Sequence, residues 1–136
     1  MLIDDNPADA RLMAEGIRII ENKPSLAVAH DADEALSLLL NQSRDNLPDL
    51  ILLDINLPKR DGLDLLQIIR RTPEIAAIPV LMLSSSSNPR EVYRAYAYGA
   101  NAYITKPVSN FFDMLGDLER FWLKRAVLPN LNYREN

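Results

Sequence analysis

Leu50-Ile51-Leu52-Leu53-Asp54-Ile55-Asn56-Leu57-Pro58 opens as an apolar run and breaks abruptly on a carboxylate. Four consecutive apolar residues leave no polar face. That suits a strand buried on both sides, as in a parallel sheet covered by helices. Leu26-Ala27-Val28-Ala29, Val80-Leu81-Met82-Leu83 and Ala102-Tyr103-Ile104 have the same character, and Leu2-Ile3 reads as the stub of a first strand.

Helical patterns fill the gaps. Ala10, Met13, Ile17 and Ile20 recur on one face, behind an Asn6 cap and a first-turn Pro7. Asp31 and Glu34 read as a capping box before Ala35, Leu36, Leu39 and Leu40. Asp61 caps a segment with Leu65, Leu66 and Ile69. Asn88-Pro89 opens another, with Val92, Ala95 and Tyr96, that Gly99 ends. Phe111, Leu115, Leu118 and Trp122 form a stripe on a last, longer helix, and Pro129 then stops regular structure before a polar tail over 130–136. Strand and helix therefore alternate five times. Right-handed crossovers turn that order into an α/β, doubly wound five-stranded parallel sheet with helices on both faces.

Composition narrows the chemistry. The 136 residues suit one domain, and their 48% hydrophobic content suits a buried core. The absence of cysteine excludes a disulfide scaffold, a thiolate zinc site and a cysteine nucleophile. One histidine, His30, excludes a two-histidine metal site and reads as a loop or strand-end residue. Fifteen basic against 19 acidic residues give net −4, so no nucleic-acid binding is expected from bulk charge. With no apolar run of membrane length and no signal peptide in view, no membrane contact and a cytoplasmic location are expected.

Ligands of open parallel sheets bind outside the carboxyl ends of the strands. Asp4 and Asp5 follow the first strand, Asp54 the third, Ser84 the fourth and Lys106 the fifth. Taken singly, each has an ordinary reading as a turn residue, a cap, a solvated loop serine or a surface lysine. Their occurrence in order, each at a different strand end, carries the functional reading. Clustered carboxylates repel one another unless a cation joins them, and an oxygen-only donor set favours Mg²⁺. Asp54 at the central strand is then a candidate nucleophile that forms an aspartyl phosphate. Lys106 supplies charge to the phosphoryl oxygens and Ser84 a hydroxyl donor.

Asp4-Asp5-Asn6-Pro7, Asp54 with Asn56, Leu57, Pro58 and Asp61-Gly62, Ser84, Gly99-Ala100 and Tyr103-Ile104-Thr105-Lys106-Pro107 together resemble the receiver domain of two-component response regulators. The match runs from Leu2 to about Lys124, and the spacings of Asp54, Ser84 and Lys106 agree with the family pattern. The resemblance implies a flavodoxin-like, CheY-like (βα)₅ sheet of order 2-1-3-4-5. It implies phosphorylation of Asp54 by a histidine kinase. It also implies Mg²⁺ held by the Asp5 and Asp54 side chains, the Asn56 backbone carbonyl and, through water, Asp4. Ser84 and Tyr103 would form the switch pair, Lys106 would pair with the phosphate, and Lys106-Pro107 would be a cis peptide. Only three residues precede Asp4, fewer than the family's first strand usually has.

Looser features, Asp5-Asn6-Pro7-Ala8-Asp9, Leu83-Ser84-Ser85-Ser86 and Phe121-Trp122 before Leu128-Pro129, resemble the response regulators that serve bacterial phytochromes. That group lacks an output domain and tends to dimerise. Residues 1–124 are read as the receiver domain, and 125–136 as a C-terminal extension that serves as a dimerisation arm and polar tail. Tyr93, Tyr96, Phe112, Phe121 and Trp122 are candidates for a homodimer or partner face. Three rival classes compete. A phosphohydrolase would want an acid where Asn56 stands. A nucleotide or flavin binder would not place Asp4-Asp5 at its phosphate loop. A phosphorylation-independent interaction module would not need the full acidic, hydroxyl and lysine set.

Overall fold

The computed structural model describes residues 1–21 and 23–134. Its five strands, β1 (Leu2–Ile3), β2 (Val28–Ala29), β3 (Ile51–Asp54), β4 (Val80–Ser84) and β5 (Ala102–Thr105), form one parallel sheet in the order β2-β1-β3-β4-β5. Between and after them run α1 (Pro7–Arg18), α2 (Ala32–Leu40), α3 (Gly62–Arg71), α4 (Pro89–Ala97) and α5 (Phe111–Leu118).

The two-residue period of the strands divides the core. Ile3, Ala29, Ile51, Leu53, Val80 and Met82 pack with Ala35 and Leu39 of α2, Leu66 and Ile69 of α3, and Ala95 of α4. Leu2, Leu52, Leu81 and Leu83 turn to the other face and meet Met13 of α1 and Met114, Leu115 and Leu118 of α5. Each such large side chain, once buried, contributes roughly 1.5–3 kcal/mol. The caps read from the sequence form: Asn6 accepts from the Ala8 amide, Asp31 from Glu34, Asp61 from Leu63 and Asn88 from Arg90. Gly99, at φ +106°, ends the turn after α4 in a conformation that disfavours any side chain.

Arg70 ties the lower parts of this frame together. Its guanidinium donates to the carbonyls of Gly99, Ala76 and Ile78 and to Asn101 Oδ1, at 2.7–2.9 Å. On the β5 edge the Tyr103 amide donates to the Tyr96 hydroxyl at 3.1 Å.

Four expectations change. β2 begins at Val28 rather than Leu26, because β1 offers only Leu2 and Ile3 as partners. The last helix does not run on as regular α-helix but passes at Glu119 into a π-helical turn, Glu119–Leu123. Met114, three positions after Phe111 on the same face of α5, is buried with Leu115 and Leu118, while Phe111 and Trp122 pack half-buried against them. Trp122 therefore leans on the core and stands edge-on to Phe121 at 5.2 Å, and is not a free member of an exposed face. The tail over 130–134 folds back: Leu131 packs on the core and its carbonyl accepts from Arg44, while Asn132 donates to Asp45. Residues 135 and 136 of the expected polar tail lie outside the described residues.

Candidate functional site

The parallel register carries β1, β3, β4 and β5 to a common carboxyl edge, where Asp4, Asp54, Ser84 and Lys106 emerge. Asp4 and Ser84 are fully buried and Asp54 is nearly so, whereas Asp5 is exposed. Carboxylate oxygens of Asp4, Asp5 and Asp54 lie within 4.8 Å of one another. Three hard, anionic oxygens at that spacing fit a divalent cation such as Mg²⁺ or Mn²⁺.

Lys106 Nζ occupies the inner side of the cluster. It donates to Asp54 Oδ2 at 3.0 Å, Asp4 Oδ2 at 3.1 Å and Asp9 Oδ2 at 2.8 Å, which uses all three ammonium protons. The other Asp4 oxygen accepts from the Asn6 amide, and the other Asp54 oxygen from the Asn56 amide. Burial lifts the Asp4 carboxyl to about 7, with Asp9 adding to the rise and Asn6 and Lys106 opposing it. Burial likewise works to lower Lys106, but hydrogen bonds to Asp9, Asp54 and Asp4 outweigh it, and its pKa is raised. Burial pushes Asp9 upward too, yet its bonds with Lys106 and Asp4 and the lysine charge leave it below the usual range.

Around this centre the backbone comes close. Gly62 opens α3 directly under β3: a Cβ there would stand 2.8 Å from Ile55 Cα and nearer still to the Asp54 carbonyl oxygen. The Gly62 amide donates to the Ile55 carbonyl at 2.8 Å, which fixes the turn that holds Asp54. Ser84 Oγ accepts from the Ser86 amide, and the Tyr103 hydroxyl donates to the Ser86 carbonyl at 2.7 Å. Ser86, in the loop after β4, is thus held through its amide by Ser84 and through its carbonyl by the Tyr103 hydroxyl.

Every residue expected at the strand ends is brought together. The Lys106–Pro107 bond, expected to be cis, is trans, as is each peptide bond among the described residues; an X–Pro bond favours trans intrinsically by about 0.5–1 kcal/mol, and this turn does not reverse it. Asp9 is the member that the sequence did not assign to the site; its signals were its place in the Asp5–Asp9 motif and in the first turn of the helix that starts there. Tyr93, Tyr96, Phe112 and Phe121 are exposed. His30 lies in the loop after β2 with its ring on the Glu34 carboxylate, and makes no hydrogen bond to Asp4, Asp5 or Asp54 among the described residues. A cavity of about 550 Å³ opens at the opposite end of the sheet, lined by Met13, Ile20, Leu26, Leu118 and Leu123, and includes none of these site residues.

A doubly wound five-stranded sheet with this acidic, hydroxyl and lysine edge defines the receiver class of two-component signalling proteins, and residues 1–113 match the response regulator receiver domain family. The chain belongs to that family and is a two-component response regulator receiver. It is 35% identical over 134 residues to the response regulator Rcp1 of Synechocystis sp., covering 95% of this chain and 91% of the relative. Its structure resembles that of the Mn²⁺-bound form of Rcp1, with TM-score 0.85 and 36% identity over 95% of this chain and 96% of that one. It also resembles the phosphorylated cyanobacterial phytochrome response regulator RcpA, with TM-score 0.88 and 37% identity over the same shares. Receiver domains bind a divalent metal in this acidic pocket, and response regulators answer to a sensor histidine kinase. Among the described residues no helix is long and apolar enough to cross a membrane.

Proposed function

We propose that Asp54 is the phosphoacceptor, that Mg²⁺ is the resident cation, and that the cognate kinase is of the phytochrome type. The observation that carries this reading is the convergence of Asp4, Asp5 and Asp54 within 4.8 Å, with Lys106 Nζ bridging Asp4 and Asp54. Asp4, Asp5 and Asp54, with the Asn56 backbone, would hold the metal. When bound, the cation offsets the clustered negative charge and draws the phosphoryl oxygens. In the transfer, an Asp54 oxygen bonds phosphorus as the donor's bond to phosphorus breaks and the leaving group departs. Lys106 exchanges its bond to the carboxylate for one to a phosphoryl oxygen, and Ser84 turns its hydroxyl to another. Ser84 and Tyr103 hold the amide and the carbonyl of one residue, Ser86, so withdrawal of Ser84 loosens the Tyr103–Ser86 bond and alters the α4–β5 surface.

Residues 1–124 form the receiver and 125–136 an extension. The output is contact with protein, through a homodimer or a partner, on the side that exposes Tyr93, Tyr96, Phe112 and Phe121. The resemblance to phytochrome response regulators supports the choice of kinase. Intact mass after incubation with Mg²⁺ and acetyl phosphate tests the chemistry. Wild type should gain one labile phosphoryl group and Asp54→Asn none. A folded wild type that gains nothing sinks the reading in favour of a phosphorylation-independent interaction module.

A further inference from the structure

We infer that Asp9 is a positioning residue for phosphoryl transfer: it is the metal-free anchor that fixes Lys106 beside Asp54. The inference rests on the proposed role of Asp54, yet its structural half stands on contacts alone. Of the three carboxylates on Lys106 Nζ, Asp9 makes the shortest contact, at 2.8 Å. Asp4 and Asp54 belong to the set within 4.8 Å that suits a cation, and Asp9 does not. A cation and a phosphoryl group would therefore reorganise two of the three bonds that hold the lysine. The Asp9 bond is the one left to keep the ammonium in place.

Local helix chemistry does not account for this contact. Asp9 is the third residue of α1, where an acid commonly returns to the amide of the cap residue. Here that amide, of Asn6, is already taken by Asp4 Oδ1 at 2.9 Å. The Asp9 carboxylate turns instead to the end of β5, 97 positions away, in a pair whose side chains are only 19% and 16% exposed. A lysine on a flexible four-carbon stem needs such a partner to hold one geometry, because a point-charge ammonium does not orient itself.

The test uses the full chain. The Lys106 ammonium signal in a ¹H–¹⁵N spectrum, assigned by its loss in Lys106→Arg, is read on unphosphorylated protein with and without Mg²⁺. Phosphorylation by acetyl phosphate is followed by intact mass. Asp9→Ala should lose the exchange-protected ammonium signal and phosphorylate about tenfold more slowly, since an ångström-scale misplacement of a reacting group costs up to ~100-fold. Asp9→Asn retains an oxygen acceptor in the same place and should stay within about threefold of wild type. An unchanged ammonium signal in Asp9→Ala, or a slowed rate that Asp9→Asn does not restore, overturns the assignment. Asp9→Ser suits a helix first turn but is too short to reach Nζ, and it replaces the alanine variant if that one does not fold. A wild type that gains no phosphoryl group refutes the Asp54 reading separately, and the ammonium signal still tests the anchor.

Discussion

Replacing Asp4 by Asn should stabilise the metal-free protein, by an amount that grows with pH. The Asp4 side chain has no exposed surface, and burial lifts its carboxyl from 3.8 to about 7. The folded chain thus holds this proton more tightly than the unfolded chain does. The stability contributed by the protonated group is complete below about 3.8 and is lost as pH rises through about 7. At ~1.4 kcal/mol per pH unit, that interval corresponds to about 4 kcal/mol. Asparagine keeps the shape and has no charge to desolvate; its single oxygen keeps the bond from the Asn6 amide and gives up the one from Lys106, a loss of about 1 kcal/mol that does not vary with pH. Its advantage over wild type should therefore rise by about 2 kcal/mol between pH 5 and pH 8, after a discount for the proton that Asp4 shares with Asp9, and then level off. Urea denaturation in the presence of EDTA measures this. The single tryptophan, Trp122, leans on the α1–α5 core and reports its loss by fluorescence. Saturating Mg²⁺ should narrow the gap, because a cation that binds only the folded acidic form stabilises wild type by mass action. A variant no more stable than wild type at pH 8, or an advantage equal at pH 5 and pH 8, refutes the argument.

Gly62→Ala should cost about 1–3 kcal/mol or more, since the new methyl meets backbone rather than a side chain that can yield, and phosphorylation should slow with it as β3 shifts; thermal melting and intact mass check both. Arg70→Ala leaves the carbonyls of Gly99, Ala76 and Ile78 without their donor and should cost about 2–4 kcal/mol in urea, with Arg70→Lys recovering less than half because an ammonium lacks the planar fork. Tyr103→Phe removes the bond to the Ser86 carbonyl and should speed amide hydrogen exchange over 85–88 at a cost in stability of about 1 kcal/mol.

β3 and β4 were legible in the sequence because strands buried on both faces have no polar positions to confuse the reading. Asp4, Asp54, Ser84 and Lys106 were legible because a parallel sheet sends every strand's carboxyl end to one edge, so sequence order alone placed them together. β2 was overextended because a strand needs a partner, and β1 supplies only two residues. The stripe on α5 was legible because Phe111, Leu115, Leu118 and Trp122 keep a helical spacing and pack into one cluster, which Met114 joins from the same face. Asp9 escaped for a different reason: an acid in a helix first turn already has a sufficient local explanation. Only the folded position of Lys106 shows that the carboxylate is used elsewhere. The tail past Pro129 read as polar from composition, yet Leu131 and the Arg44–Leu131 bond hold it to the body.

The hydroxyl of Tyr96 on the Tyr103 amide has a consequence for how copies of this chain can meet. A strand approaching the β5 rim needs free backbone donors to zip onto, and one of them is already capped by a side chain of the same molecule. At the other rim β2 spans only two residues, too short a template for a lasting ladder. The sheet is therefore protected at both margins against growth by cross-chain pairing, the route that leads to fibrils and irreversible clumping. Any assembly is steered to side-chain faces, where contact can be made and released as a signal requires.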